Sequence, residues 1–246
     1  MANWNDPQPR QGFGASPSLD GRTGTGATYD AGLRKHMLSI YNYMASGVLL
    51  SGIVATLFAT SGMAAQVMAT PLRWLIILAP LGFVMGMSFG ANRMKTSTLQ
   101  AMFWGFATVM GLSLSTIFLV YTGASIATTF FATAAAFAGL SLVGYTTKKD
   151  LSAMGSFLIM GVFGILIAML INIFMQSSVL QLAISALGVL IFAGLTAYDT
   201  QRLKREYFQL AGTQFAGKAV IMGALSLYLD FINMFQFLLS FMGSRD

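Results

Sequence analysis

Seven apolar runs separated by short polar connections set the pattern of this chain, behind a first segment that holds no apolar run at all. The runs read 37–60, 74–92, 98–121, 125–146, 152–175, 179–202 and 219–242. Each is close to the ~20 residues a helix needs to cross ~30 Å of hydrocarbon. In lipid every backbone N–H and C=O must be satisfied within the segment, so runs of this length predict membrane-spanning α-helices. The expected fold is all-α and integral to the membrane, a bundle of seven transmembrane helices. The connections Thr122–Ala124 and Gln176–Ser178 are so short that the runs on either side must form tight antiparallel hairpins.

Residues 1–36 are polar and rich in Gly, Pro, Ser, Thr and Asp. They bury too little apolar surface to offset their chain entropy, and a disordered tail is expected there, followed by one membrane domain over 37–246. No charged n-region leads into an apolar h-region, so the first apolar run itself is expected to direct insertion. Composition agrees with the pattern. The chain is 56% hydrophobic and 9% charged, against roughly 25% charged for soluble proteins.

A formal charge of +6 raises the question of nucleic acid. The basic residues instead sit in short connections, with no basic stripe and interleaved aromatics to track phosphates, so no nucleic-acid partner is expected. On the side of the polar tail lie Arg10, Arg22, Arg34, Lys35, Arg93, Lys95, Lys148, Lys149, Arg202, Lys204, Arg205 and Lys218, leaving only Arg73 and Arg245 of the 14 for the other side. The positive-inside rule puts the tail in the cytoplasm. Seven full crossings then carry the C-terminus outside, whereas a re-entrant last run would bring it back. Trp74 fits an interfacial anchor.

The absence of Cys removes disulfides, thiolate metal sites and cysteine nucleophiles, and the single histidine, His36, stands where the tail meets the first run. No enzyme activity, resident metal or cofactor is expected. Run two carries Gly82, Gly86 and Gly90 at small-xxx-small spacing on one helical face. That spacing lets another backbone approach closely, and its functional alternative is a sliding surface for a helix that moves. Pro80 just ahead removes a backbone donor and is a candidate kink.

The candidate chemistry lies in the acids. Asp6, Asp20 and Asp30 are in the tail, Asp150 and Glu206 stand beside basic residues, and Asp246 is terminal. Asp199 and Asp230 remain, inside apolar runs, where a charge is costly and points to function. Run six continues past Asp199 as a helical stripe through Leu203, Tyr207 and Leu210, with Arg202 and Glu206 as an (i, i+4) pair and Gly212 as a C-cap. Asp199 then lies roughly 20 Å before that cap, and Asp230 roughly 16–17 Å beyond Ala219 on the returning helix. The two carboxylates reach nearly the same level. In contact at low dielectric they cannot both ionise cheaply and would share a proton, a pH-responsive latch between two helices. The plainer reading has each aspartate satisfied separately, by Arg93 or by helix-end donors.

At these same residues the sequence resembles a known family. Ala197-Tyr-Asp-Thr-Gln-Arg202 and Gly223-Ala-Leu-Ser-Leu-Tyr-Leu-Asp-Phe-Ile-Asn-Met-Phe235 are similar to the Bax inhibitor-1 (transmembrane Bax inhibitor motif) family, in a bacterial form, over about residues 35–246. The resemblance implies seven helices with the C-terminal one central and wrapped by the other six. It further implies a pH-sensitive calcium leak across the bacterial inner membrane, with Asp199 and Asp230 as sensor and Arg93 as the matching arginine near the end of the second helix. Some bacterial members are linked instead to modulation of an ATP-dependent membrane protease, which is the alternative role and partner.

Other membrane-protein readings fare worse. An intramembrane aspartyl protease pairs Tyr-Asp with Gly-x-Gly-Asp, but the second site here is Leu227-Tyr-Leu-Asp230. Run seven has no mid-helix lysine for a retinal Schiff base, a rhomboid-like protease would need an intramembrane histidine, and a carrier would show broken helices and inverted repeats. The expectation is a non-enzymatic, pH-gated cation leak passing Ca²⁺. The ion would be bound only transiently at Asp199 and Asp230, and run two would serve as the plug. Two carboxylates with carbonyls or water make a weak site for a hard cation, which suits a leak better than storage.

Overall fold

The structure, a computed structural model, describes residues 20–244, with side chains from residue 31 onward. Eight helices follow one another in the described residues: α1 Asp20–Thr60, α2 Met63–Met68, α3 Leu72–Gly90, α4 Thr96–Leu114, α5 Gly123–Thr146, α6 Ser152–Met175, α7 Ser178–Leu210 and α8 Ala216–Met242. Seven are long and apolar enough to cross a membrane, α2 being the exception, and no strand occurs among the described residues. A 3₁₀ turn, Ser115–Leu119, prolongs α4. The protein is an all-helical membrane bundle.

The expected tail divides. Residues 1–19 lie outside the described residues, while 20–36 already belong to α1, whose membrane-length part starts at Ala31. Hydropathy alone placed the first run at 37, but the buried stripe begins earlier. Leu33, His36, Met37, Ile40, Met44, Val48 and Ser51 recur at helical spacing and all face the core. The short helix α2 falls between the first two apolar runs; Gly62, at φ 75°, turns the chain into it.

The predicted α6–α7 hairpin is present, whereas α4 and α5 share the expected short connection but do not pack against each other, α4 lying on α1 and α3 and α5 on α7. Thr122 caps α5 by accepting from the Ser125 N–H at 3.2 Å, and Ser177 caps α7 by accepting from Leu180 N–H at 3.3 Å. Asn172 binds Ser177 N–H at 3.0 Å and the Gln181 side chain at 3.1 Å, closing the α6–α7 turn. Helix α3 runs unbroken through Pro80.

Helix α8 is the best buried, with 61% of its most apolar window inside the protein against 11–33% for the others. Its principal neighbours are α1, α4, α5 and α7, whereas α3 packs mainly on α4 and α6 on α7. Four helices therefore supply most of its surroundings, not six. The packing is aromatic: Tyr228 meets Phe106 edge-on at 5.0 Å and Phe103 at 6.3 Å, and Phe231 meets Phe130 and Phe137 at 5.5 and 5.6 Å. The Tyr228 hydroxyl shares a 2.6 Å hydrogen bond with Ser51 of α1, which donates in turn to Ala107 O of α4 at 2.6 Å. Large apolar side chains on α6, such as Phe157, Met160, Phe163 and Phe174, point outward, as lipid-facing residues must.

Helix α8 crosses the whole bundle. Ser244, just past its end, accepts from Thr122 N–H at 3.2 Å and donates to the Ser125 hydroxyl at 2.9 Å. Its last turn therefore meets the α4–α5 connection, and its first turn stands at the opposite, basic end, where Lys218 donates to Asn92 O at 3.2 Å. The re-entrant alternative is not adopted.

Candidate functional site

The approach of α5 to α7 sets the position of the first aspartate. Gly144 of α5 lies so close to the Ala197 carbonyl of α7 that no Cβ would fit between them. Two residues on, Asp199 is turned into the interior at 6% exposure. Helix α7 runs on to Leu210 and reverses through Gly212 at φ 77° into α8, as its stripe and cap residue predict. The returning helix carries Asp230, 5% exposed. Both aspartates are thus buried on packed, antiparallel neighbours.

Their surroundings differ. The Ser226 hydroxyl donates to Asp199 Oδ2 in a short hydrogen bond, and Arg202 places a guanidinium nitrogen 3.3 Å from the same oxygen. Arg202 also donates to Ser226 Oγ at 3.0 Å and pairs with Glu206 at 3.4 Å. Asp230 makes no hydrogen bond among the described residues, and its Oδ2 is buried without a partner. It is near enough to feel the charges of both Asp199 and Arg202. The two carboxylates share an electrostatic neighbourhood without a hydrogen bond between them.

Beside this cluster is a cavity of about 310 Å³, bounded by Val84 and Ser88 of α3, Arg202 and Glu206 of α7, and Ser226 and Leu229 of α8. Helix α3 closes it while being, with α6, the least buried of the spanning helices. The glycines of α3 meet no foreign backbone. An added Cβ would find open space at Gly82, the tip of Met102 at Gly86 and the Met94 side chain at Gly90.

Arg93 is not brought to the aspartates. It occupies an exposed turn just beyond α3, its N–H bonded to Gly90 O at 2.9 Å, and it forms no ion pair among the described residues. The cation beside Asp199 is Arg202, one turn away on the same helix. Its signal was its (i, i+3) spacing within the Ala197–Arg202 segment, masked by its counting as a loop charge. Ser226 had a weaker signal, the (i, i−4) spacing from Asp230. His36 lies apart, its ring 5.2 Å from that of Tyr207.

The basic end is tied together by specific contacts. Gln201 donates to Lys149 O at 2.8 Å and accepts from Leu151 N–H at 2.9 Å, and Lys204 donates to Tyr145 O at 2.9 Å. Asp150 accepts from the Ser152 hydroxyl and N–H at 2.7 and 3.0 Å and pairs with Arg205 at 2.6 Å. Those hydrogen bonds, with the Arg205 charge, hold its carboxyl down at about 2. No three His, Asp or Glu side chains converge as a metal cage among the described residues. The cluster offers oxygen ligands and a fixed guanidinium, suited to brief contact with a cation or exchange of a proton.

Comparison with known proteins finds relatives over most of the chain, some of them named as membrane proteins. The inner membrane protein YbhL of Escherichia coli strain K12 is 42% identical over 219 residues, covering 87% of this chain and 94% of that one. An uncharacterized protein of Caulobacter vibrioides is 48% identical over 230 residues, 88% and 91% of the two chains. A membrane protein of Streptococcus pyogenes, SpyM3_0260, is 35% identical over 223 residues, 88% and 96% of the two. The family profile described as inhibitor of apoptosis-promoting Bax1 matches residues 33–246, and the chain belongs to that family, the Bax inhibitor-1 proteins.

Proposed function

We propose that this protein is a non-enzymatic, pH-sensitive cation leak of the bacterial inner membrane, passing Ca²⁺, with Asp199 and Asp230 as its sensor. The observation that carries the reading is Asp230, a buried carboxyl with an unpartnered oxygen next to a second buried carboxyl. Such a group in a membrane interior is costly to keep and points to an ion or proton pathway. The charged groups that act on it are Asp199 and Arg202 on α7, with Glu206 joined to the cluster through Arg202, while the wall of the adjoining cavity from α3 brings only Val84 and Ser88. One guanidinium faces three carboxyls, so each proton gained or lost changes the net charge of the cluster. That change alters the repulsion between α7 and α8 beside a cavity that α3 closes.

The inner-membrane placement follows the name of YbhL, and the cytoplasmic placement of the basic end follows the positive-inside rule. Proteolysis fits the geometry poorly. An aspartyl dyad shares a proton between two carboxyls, whereas Asp199 is engaged by Arg202 and Ser226.

The test is Ca²⁺ entry into liposomes that hold the purified protein and a calcium-sensitive dye, followed between about pH 5.5 and about pH 8.5, the range in which switches near neutrality respond. Expected is a protein-dependent flux whose pH profile flattens in Asp199→Asn and in Asp230→Asn. Absence of flux at every pH would remove the leak and leave modulation of an ATP-dependent membrane protease as the role. Flux with an unchanged profile in both variants would keep the leak and reject the sensor.

A further inference from the structure

A second and larger concavity lies away from the aspartates. Helices α1 and α5 make no extensive contact with each other, and between them runs a groove of about 810 Å³ floored by Phe231 of α8. Along α1 it extends from Arg34 to Leu49, roughly 22 Å at 1.5 Å per residue. That exceeds the depth of one leaflet, about half of a ~30 Å core. Its volume is that of a specific small-molecule site, on the order of 300–1,000 Å³.

The lining is sorted along its length. Arg34 and Tyr145 stand at the basic end, Ser141 and Tyr41 lie deeper among apolar side chains, and the far half, down to Leu49 and Phe130, is apolar. Arg34 is exposed and forms no ion pair among the described residues. Lys204 does not line the groove, but it donates to Tyr145 O and so sets a second positive charge beside one of the lining residues. A turn deeper, the Ser141 hydroxyl is buried and has no partner, on a side chain only 6% exposed. Serines within helices usually bond the carbonyl four residues back; Ser141 does not, and its donor is left for something that enters the groove.

We propose that this groove is a binding site for an anionic phospholipid. The phosphate meets Arg34 at the mouth, an ester carbonyl oxygen accepts from the Ser141 hydroxyl, and the acyl chain lies along the apolar floor. The order of the three features matches the order of groups in such a lipid. A helix from a second copy would set apolar side chains against Ser141 and leave Arg34 unmatched.

The full-length protein, equilibrated in vesicles of equal phosphatidylglycerol and phosphatidylcholine, would be released and weighed by native mass spectrometry. Expected is one phosphatidylglycerol retained in preference to phosphatidylcholine. Arg34→Gln should lower that preference about fivefold, the worth of one basic residue near an anionic surface. Ala138→Trp, which fills the groove, should abolish retention of both lipids. Equal retention of the two lipids by the wild type, or undiminished retention in a folded Ala138→Trp protein, would overturn the proposal. A phosphatidylglycerol with a photoreactive acyl chain gives a reading on the unaltered chain. Adducts are expected within residues 34–49 and 130–145, and adducts confined to other helices would refute the site.

Discussion

Arg202 serves Asp199, Glu206 and Ser226 together, yet its side chain is 35% exposed while that of Asp199 is 8% exposed. The cation reaches the cavity and the carboxyl does not. Removing the cation therefore strands a buried charge, and removing both leaves little to strand. Arg202→Gln is expected to lower stability by about 1–3 kcal/mol, less than the ~3–5 kcal/mol for breaking a fully buried pair because the exposed guanidinium is partly screened. Adding Asp199→Asn to that variant should return most of the loss, as measured by a double-mutant cycle on unfolding in detergent. Strictly additive losses would assign Arg202's contribution to Glu206 instead. Asp199 and Asp230 were legible from sequence because a carboxyl inside an apolar run has no ordinary explanation. Arg202 and Ser226 were not. An arginine at the end of a run looks like a topology signal, and a serine is common in membrane helices whatever it touches.

Between elements, the small residues that matter are those that meet a backbone. The run Gly82, Gly86, Gly90 stands out in the sequence, but the nearest foreign atoms there are flexible methionine tips or none. Gly144 is inconspicuous, yet it lets α5 reach the Ala197 carbonyl two residues before Asp199. Spacing reports that a close approach is allowed; it does not report where a partner helix lies. Gly144→Ala should destabilise by about 1–3 kcal/mol, since the obstacle is backbone and cannot rotate away. Gly82→Ala meets open space and should be neutral or stabilising by about 0.5–1 kcal/mol through the lower entropy cost of a helical alanine. Thermal unfolding of the two variants in the same detergent checks both signs. Equal loss in the two would show that α3 is packed through Gly82 in the bilayer.

At the scale of the whole molecule, the helix count was legible because lipid requires unbroken helices of a fixed length, whereas a central α8 followed only from the family resemblance and not from hydropathy. Lipid tails are as apolar as a protein core, so hydropathy does not separate a lipid-facing helix from an interior one. What hydropathy cannot rank, the charges arrange. Arg34, Lys149, Lys204 and Lys218 stand at one end, where α1 begins, α5 ends, α7 leaves the core and α8 enters it, and the α4–α5 connection stands at the other. If the basic end faces the cytoplasm, then Ala124, exposed beside that connection, faces outward, and Lys149 faces in. The chain has no cysteine, so single-cysteine variants report without background. In intact spheroplasts a membrane-impermeant maleimide should label Ala124→Cys and spare Lys149→Cys until the membrane is opened. The reverse pattern would invert the orientation and put the mouth of the α1–α5 groove in the outer leaflet. Labelling of both before opening would mean that the basic residues do not set a single orientation, and the positive-inside argument would fail for this chain.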